Sequence, residues 1–124
     1  MPNPNKWQAI NEFWSSFGLA AYDENSVPAG ARLPYITYSA STGAINNMII
    51  LSASIWYYSD SWKDISDKAD EIAAEIGYGH ITIPVEGGYL MITRGTPFAQ
   101  RMSDEDHAIR RIYINTQAEF LTAH

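Results

Sequence analysis

Met48-Ile-Ile-Leu-Ser-Ala-Ser-Ile-Trp-Tyr-Tyr58, followed at once by Ser59-Asp-Ser-Trp-Lys-Asp-Ile65 and running on to Gly77, holds the change of period that decides the fold. In its first part Ile49, Leu51, Ala53, Ile55 and Tyr57 fall on every second position, the repeat of a strand with one face inward. The other face carries Ser52 and Ser54 but also Met48, Ile50, Trp56 and Tyr58, so both faces are expected to meet protein somewhere along the strand. From Ser61 the period changes. Trp62, Ile65, Ala69, Ile72, Ala73 and Ile76 form one stripe of an α-helix. Ser61-Trp-Lys-Asp64 has the spacing of a capping box, and Gly77 supplies the stop. The polar side holds Lys63, Asp67, Lys68, Asp70, Glu71 and Glu75. Acids near the helix start suit its dipole. Ile65, Ala69, Ile72 and Ile76 are expected to pack on Ile49, Leu51 and Ile55.

Upstream, residues 5–17 predict a first helix. Trp7, Ile10, Trp14 and Phe17 make its stripe and Phe13 widens it, with Asn3-Pro4 as the cap and first-turn proline and Gly18 as the stop. Residues 19–32, with Pro28 and Gly30, predict an irregular connection. Residues 34–39 predict a strand and Ser41-Thr-Gly43 a turn. Downstream, residues 79–84 and 89–94 predict two strands joined through Val85-Glu-Gly-Gly88, a hairpin signal. Pro84 places the first of them at an edge or a strand end. Residues 96–107 predict a polar loop containing Pro97, Phe98 and Met102, and residues 111–120 alternate as a last strand. The order is helix, two strands, helix, three strands. It gives an α+β fold, a mixed and largely antiparallel sheet of about five strands packed with two helices.

The chain of 124 residues suits a single domain, residues 1–124. With no cysteine it has no disulfide framework, thiolate metal site or thiol nucleophile. With 46% hydrophobic and 18% charged residues it is not a disordered chain. No apolar run approaches a membrane span, and Met1-Pro-Asn-Pro opens no signal peptide, so a soluble intracellular protein is expected. A net charge of −6 argues against sequence-independent nucleic-acid binding. The histidines, His80, His107 and His124, lie in no metal-ligand spacing. Asp104-Glu-Asp-His107 lacks the glycine and spaced oxygens of a calcium loop and reads as a solvated turn. No phosphate-cradling or serine-nucleophile motif is present. The expectation is a non-enzyme with no catalytic residues, metal or cofactor.

What remains is surface. Four Trp, eight Tyr and four Phe are more than a small core hides, and aromatics with arginine are the residue types enriched in interfaces. Charge is uneven: residues 60–75 hold six acids and two lysines, whereas residues 94–111 hold four arginines and three acids. Such a two-faced domain suits head-to-tail contact between identical subunits. The candidate interface residues are Arg94, Phe98, Arg101 and Met102 on one side and Asp67, Asp70 and Glu71 of the second helix on the other. Residues 95–107 are expected to be a mobile docking arm that becomes ordered on assembly.

Several stretches together resemble a known family. They are Trp7-Gln-Ala-Ile-Asn-Glu-Phe-Trp14, Val27-Pro-Ala-Gly-Ala-Arg-Leu-Pro-Tyr-Ile-Thr-Tyr38, Ser59-Asp-Ser-Trp-Lys-Asp-Ile65, and Arg94-Gly-Thr-Pro-Phe-Ala-Gln-Arg-Met102 with Ile109-Arg-Arg-Ile-Tyr-Ile114. In order and spacing they are similar to the small tail-terminator or tail-completion proteins of long-tailed bacteriophages and prophages, often labelled minor capsid or head–tail joining proteins. The resemblance implies a ring, a hexamer, at the head-proximal end of the tail tube that stops tube growth and docks to the head connector. It implies copies of itself, the tail tube protein and connector proteins as partners. It also implies DNA only in passage through the lumen, no membrane, and a place in the virion after assembly in the host cytoplasm. The alternatives are a head-completion adaptor or stopper of the same joint, or a small-molecule or peptide-binding module.

Overall fold

The computed structural model describes residues 3–42 and 48–122. Along the chain run α1 (Lys6–Ser15), β1 (Ala20–Asp23), β2 (Tyr35–Thr42), β3 (Met48–Tyr58), α2 (Lys63–Ile76), β4 (His80–Val85), β5 (Gly88–Met102) and β6 (Ile109–Thr122). The six strands form one sheet in the order β1-β2-β3-β6-β5-β4. β1 runs parallel to β2, and every other pairing is antiparallel. The fold is α+β, as the order of periods implies, with one strand more than predicted. α1 touches β1 and β2 at one edge and β4 at the other, so the sheet curls around it, while α2 packs across β3, β6, β5 and β4.

The central strand and the second helix are where their periods put them. Ile49, Leu51, Ala53 and Ile55 of β3 are buried, and so are Ile65, Ala69, Ile72 and Ile76 of α2, all in one core. Val85, Leu90, Ile92, Ile112, Ile114 and Ala118 complete the same face from the later strands. The capping box does not form. Ser61 Oγ accepts from Lys63 N, and Trp62 occupies the N-cap with no side-chain bond. Gly77 ends α2 at φ 75°, a left-handed conformation that glycine reaches without a Cβ clash.

α1 differs from expectation at both ends of its stripe. Its cap is Asn5, whose side chain accepts from Gln8 N at 2.9 Å, rather than Asn3. Ala9, Ile10, Phe13, Trp14 and Phe17 are buried, but Trp7 is 45% exposed. Trp7 lies roughly a quarter turn from the centre of that stripe, beneath the Lys6 ammonium. The irregular connection contains β1, four residues that alternate too briefly to register as a strand and take their pairing from β2. Ser41 and Thr42 continue β2 rather than turning, and Gly43 lies outside the described residues.

The largest correction concerns residues 96–107. Through Met102 they belong to β5, not to a loop, and the connection to β6 is confined to residues 103–108. Pairing with β6 continues from Ala99↔Ile114 to Met102↔Arg111 after a register shift between Arg94 and Ala99. Residues 95–98 bulge over Asn115, whose Nδ2 donates to Pro97 O at 2.9 Å. Phe98 turns inward and packs against the core. The mobile-arm expectation is therefore overturned: glycine, proline and polar residues look like a loop locally, but β6 supplies a partner for their backbone.

The hairpin between β4 and β5 turns at Glu86 and Gly87, with Gly87 at φ 83°. β4 is an edge strand, as Pro84 requires. Val85↔Gly88 closes a two-residue turn and is thus a hydrogen-bonded pair. Alternation then points the backbone of Pro84 away from β5, where its missing N–H costs the sheet nothing.

Candidate interaction surface

The helix-free face of the sheet has two unlike ends. At one, Trp56 donates from Nε1 to Thr37 Oγ1 at 2.9 Å, and Arg111 donates from Nε to Ser54 Oγ at 3.0 Å. The Arg111 guanidinium lies 4.6 Å from the centroid of the Trp56 ring. These two long side chains lie across the strands and bury Thr37 and Ser54 beneath them. At the other end the described residues provide no such cover. Ile50 is 66% exposed, with Met48, Tyr89 and Leu121 also exposed nearby along the paired strands. A groove of about 320 Å³ crosses this end between Met48, Ile50, Asn115 and Gln117.

On the helix side the arginines meet aromatic rings. Arg101 of β5 and Arg110 of β6 both lie over Trp62, at 4.8 and 5.1 Å from its ring. Arg110 Nη2 also donates to Asp60 O at 2.9 Å. Arg94 is used differently. Its Nη2 donates to Ala73 O near the end of α2, and its guanidinium lies between Tyr78 and Phe98, at 4.9 and 5.8 Å. It is a remote cap for the negative end of that helix, where a cation is favoured. Among the described residues the ion pairs are Lys63–Asp67 and Lys68–Glu71, so the four arginines of the β5–β6 region pair with no carboxylate there.

Residues grouped by the sequence reading thus separate. Arg94 and Phe98 are engaged within the chain, whereas Arg101 and Met102 are exposed at the end of β5. Asp67, Asp70 and Glu71 share the exposed face of α2, spanning about 100° of its circumference at 100° per residue. Asp67 sits on the crest, paired with Lys63 at 2.8 Å. Asp70 sits toward β5, lining with Arg101, Ser66 and Ala99 a cavity of about 160 Å³. Glu71 sits on the side where Lys68 Nζ donates to Phe17 O at 2.7 Å. Burial raises the pKa of the Tyr57 phenol above its usual 10.0, with Lys68 opposing and Asp64 and Glu71 adding.

Sequence reasoning missed Trp62, Arg110 and the Trp56–Arg111 pair. The signal for the Trp56–Arg111 pair, an arginine directly opposite a tryptophan, is legible only once the register of β3 against β6 is known. His107 lies in the 103–108 connection beside Trp62 and Arg110, and His80 is exposed at the start of β4. His124 lies outside the described residues. Asp104 and Asp106 accept from backbone N–H groups two residues on, so those acids shape the turn. Among the described residues no three His, Asp or Glu side chains converge as metal ligands would, and no helix is long and apolar enough to cross a membrane.

No family model matches the chain, and no curated protein matches it in sequence. In fold it is similar to a chain in the structure titled "Virion of native gene transfer agent (GTA) particle". That likeness has a TM-score of 0.65 at 16% identity and covers 87% of this chain and 83% of that one. The two chains share a fold over nearly their whole lengths.

Proposed function

We propose that this protein is a structural component of a phage-like particle, a tail terminator that assembles as a ring at the head-proximal end of the tail tube, stops its growth and docks it to the head. The observation that carries the reading is the whole-chain fold likeness to a component of a gene transfer agent virion. The sequence resemblance to tail-completion proteins points the same way. The surface adds support: arginine–aromatic stacks and an uncovered apolar sheet end are features of a chain that meets other protein. The reading assigns no catalysis, metal or cofactor. Its partners are copies of itself, the tail tube protein and the head connector, with DNA passing through the lumen and not recognised by sequence.

The test is disruption of the gene in a strain that produces the particle. Filled heads without tails, accompanied by tails of irregular length, are expected in electron micrographs. Tails of normal length joined to heads in the mutant overturn the reading.

A further inference from the structure

Building on the reading that this chain works as copies in contact, we infer that one copy docks on the next through opposite flanks of α2: the Arg101–Trp62–Arg110 stack of one copy meets the Asp64–Glu71–Glu75 flank of its neighbour. Both halves of such a contact are present on one chain. Arg101 and Arg110 lie over the same indole, and Arg110 is further fixed by its bond to Asp60 O. Stacking on the ring restrains each guanidinium, so little freedom is lost when a carboxylate arrives. In a chain of net charge −6 these guanidiniums nevertheless pair with no carboxylate among the described residues.

The complementary charge lies on the far side of the same helix. Asp64, Glu71 and Glu75 share a stripe at 100° per residue, all exposed, and only Glu71 has a cation partner there, Lys68. The helix body stands between this stripe and Trp62, so the two patches of one copy cannot join each other. Asp70, on the arginine flank, lines a cavity with Arg101 but forms no ion pair with it. A contact between unlike surfaces of identical chains is heterologous, and it closes into a ring when its repeated rotation completes a full turn without translation. The rival ligand for an arginine–aromatic patch is single-stranded nucleic acid. The overall negative charge weighs against a polyanion that extends beyond the patch.

The experiment uses sedimentation velocity on the purified full chain at low and high salt. The unmodified chain is expected to associate head to tail, more weakly by about tenfold or more between 50 and 500 mM salt (order of magnitude). Arg101→Glu in one chain, and Asp64→Lys with Glu75→Lys in another, should each weaken association by at least about tenfold. All three side chains are exposed, so thermal midpoints should stay close to that of the parent. Mixing the two variants should restore association, because each then offers the other a matched contact. An unmodified chain that stays monomeric at low salt up to millimolar concentration overturns the proposal. So do variants that associate as well as the parent, and a mixture that does not recover. Saturable binding of a thymidine oligonucleotide that is abolished by Arg101→Glu, without self-association, assigns the patch to nucleic acid instead. None of these outcomes bears on the particle phenotype of a gene disruption, so the virion reading stands or falls separately.

Discussion

The two faces of the sheet solve the problem of burial differently. On the helix side, alternate positions of β3, β5 and β6 are aliphatic and two helices cover them, leaving Ile55, Leu90, Ile92 and Ile114 with no exposed surface. On the other side no element of the described residues lies over the strands. One end covers itself by laying Trp56 and Arg111 flat over Thr37 and Ser54, and the other end leaves Ile50 and its neighbours open. The first face holds the core, and the second leaves apolar side chains in solvent. The contrast shows that the same strand can serve both: β3 carries Leu51 inward and Ile50 outward in adjacent positions.

The comparison can be broken most readily from the helix side. Ile72 is fully buried, and Ile72→Ala should cost about 2–5 kcal/mol, seen as a large drop in the urea midpoint. A small drop would mean that α2 is not part of the core that holds the sheet. Gly95 tests the bulge at the boundary. A Cβ there would meet Asn115 Cβ at 2.8 Å and the Asn115 backbone oxygen at 3.0 Å. Because that backbone cannot swing aside, Gly95→Ala should cost about 1–3 kcal/mol by thermal denaturation. It should also disturb the amide signals of Asn115.

On the self-covered end, Arg111→Ala removes the stack on Trp56 and the bond to Ser54. The expected loss is about 1 kcal/mol, because water reaches Ser54 once the guanidinium is gone. Tryptophan fluorescence should shift to the red. On the open end, Ile50→Ser should change stability by less than about 0.5 kcal/mol. It should lower binding of a hydrophobic dye to the folded protein. A large stability loss there would erase the distinction between the two faces.

Much of this architecture is written in local pattern. β3 and α2 have full-length periods of two and 3.6, and their inward residues follow directly. The hairpin after β4 is marked by Gly87 and Gly88, and the edge position of β4 by Pro84. What was not legible depends on pairing at a distance. β1 is only four residues long and exists because β2 lies beside it. The second half of β5 contains glycine and proline, and only β6 makes it a strand. The surroundings of the interface candidates depend on the same distant pairing. The acids of α2 spread over about 100° of its exposed face, so Asp70 turns toward Arg101 and Glu71 toward Lys68, and the arginine stack depends on Trp62, a residue that the sequence pattern assigns to the helical stripe. Arg94 illustrates the same limit: its task at the end of α2 is set by Ala73, twenty-one residues earlier.

Pro84 also governs how this molecule can fail. An open sheet is a template for further strands, and its exposed rim can recruit another chain into an endless ribbon. Here one rim is interrupted by a residue that offers no donor, and the other is a strand only four residues long. Neither can nucleate extended backbone pairing over much length. The aliphatic surface at Ile50 lies on the face of the sheet and not on its rim, so a contact made there is made by side chains rather than by backbone pairing.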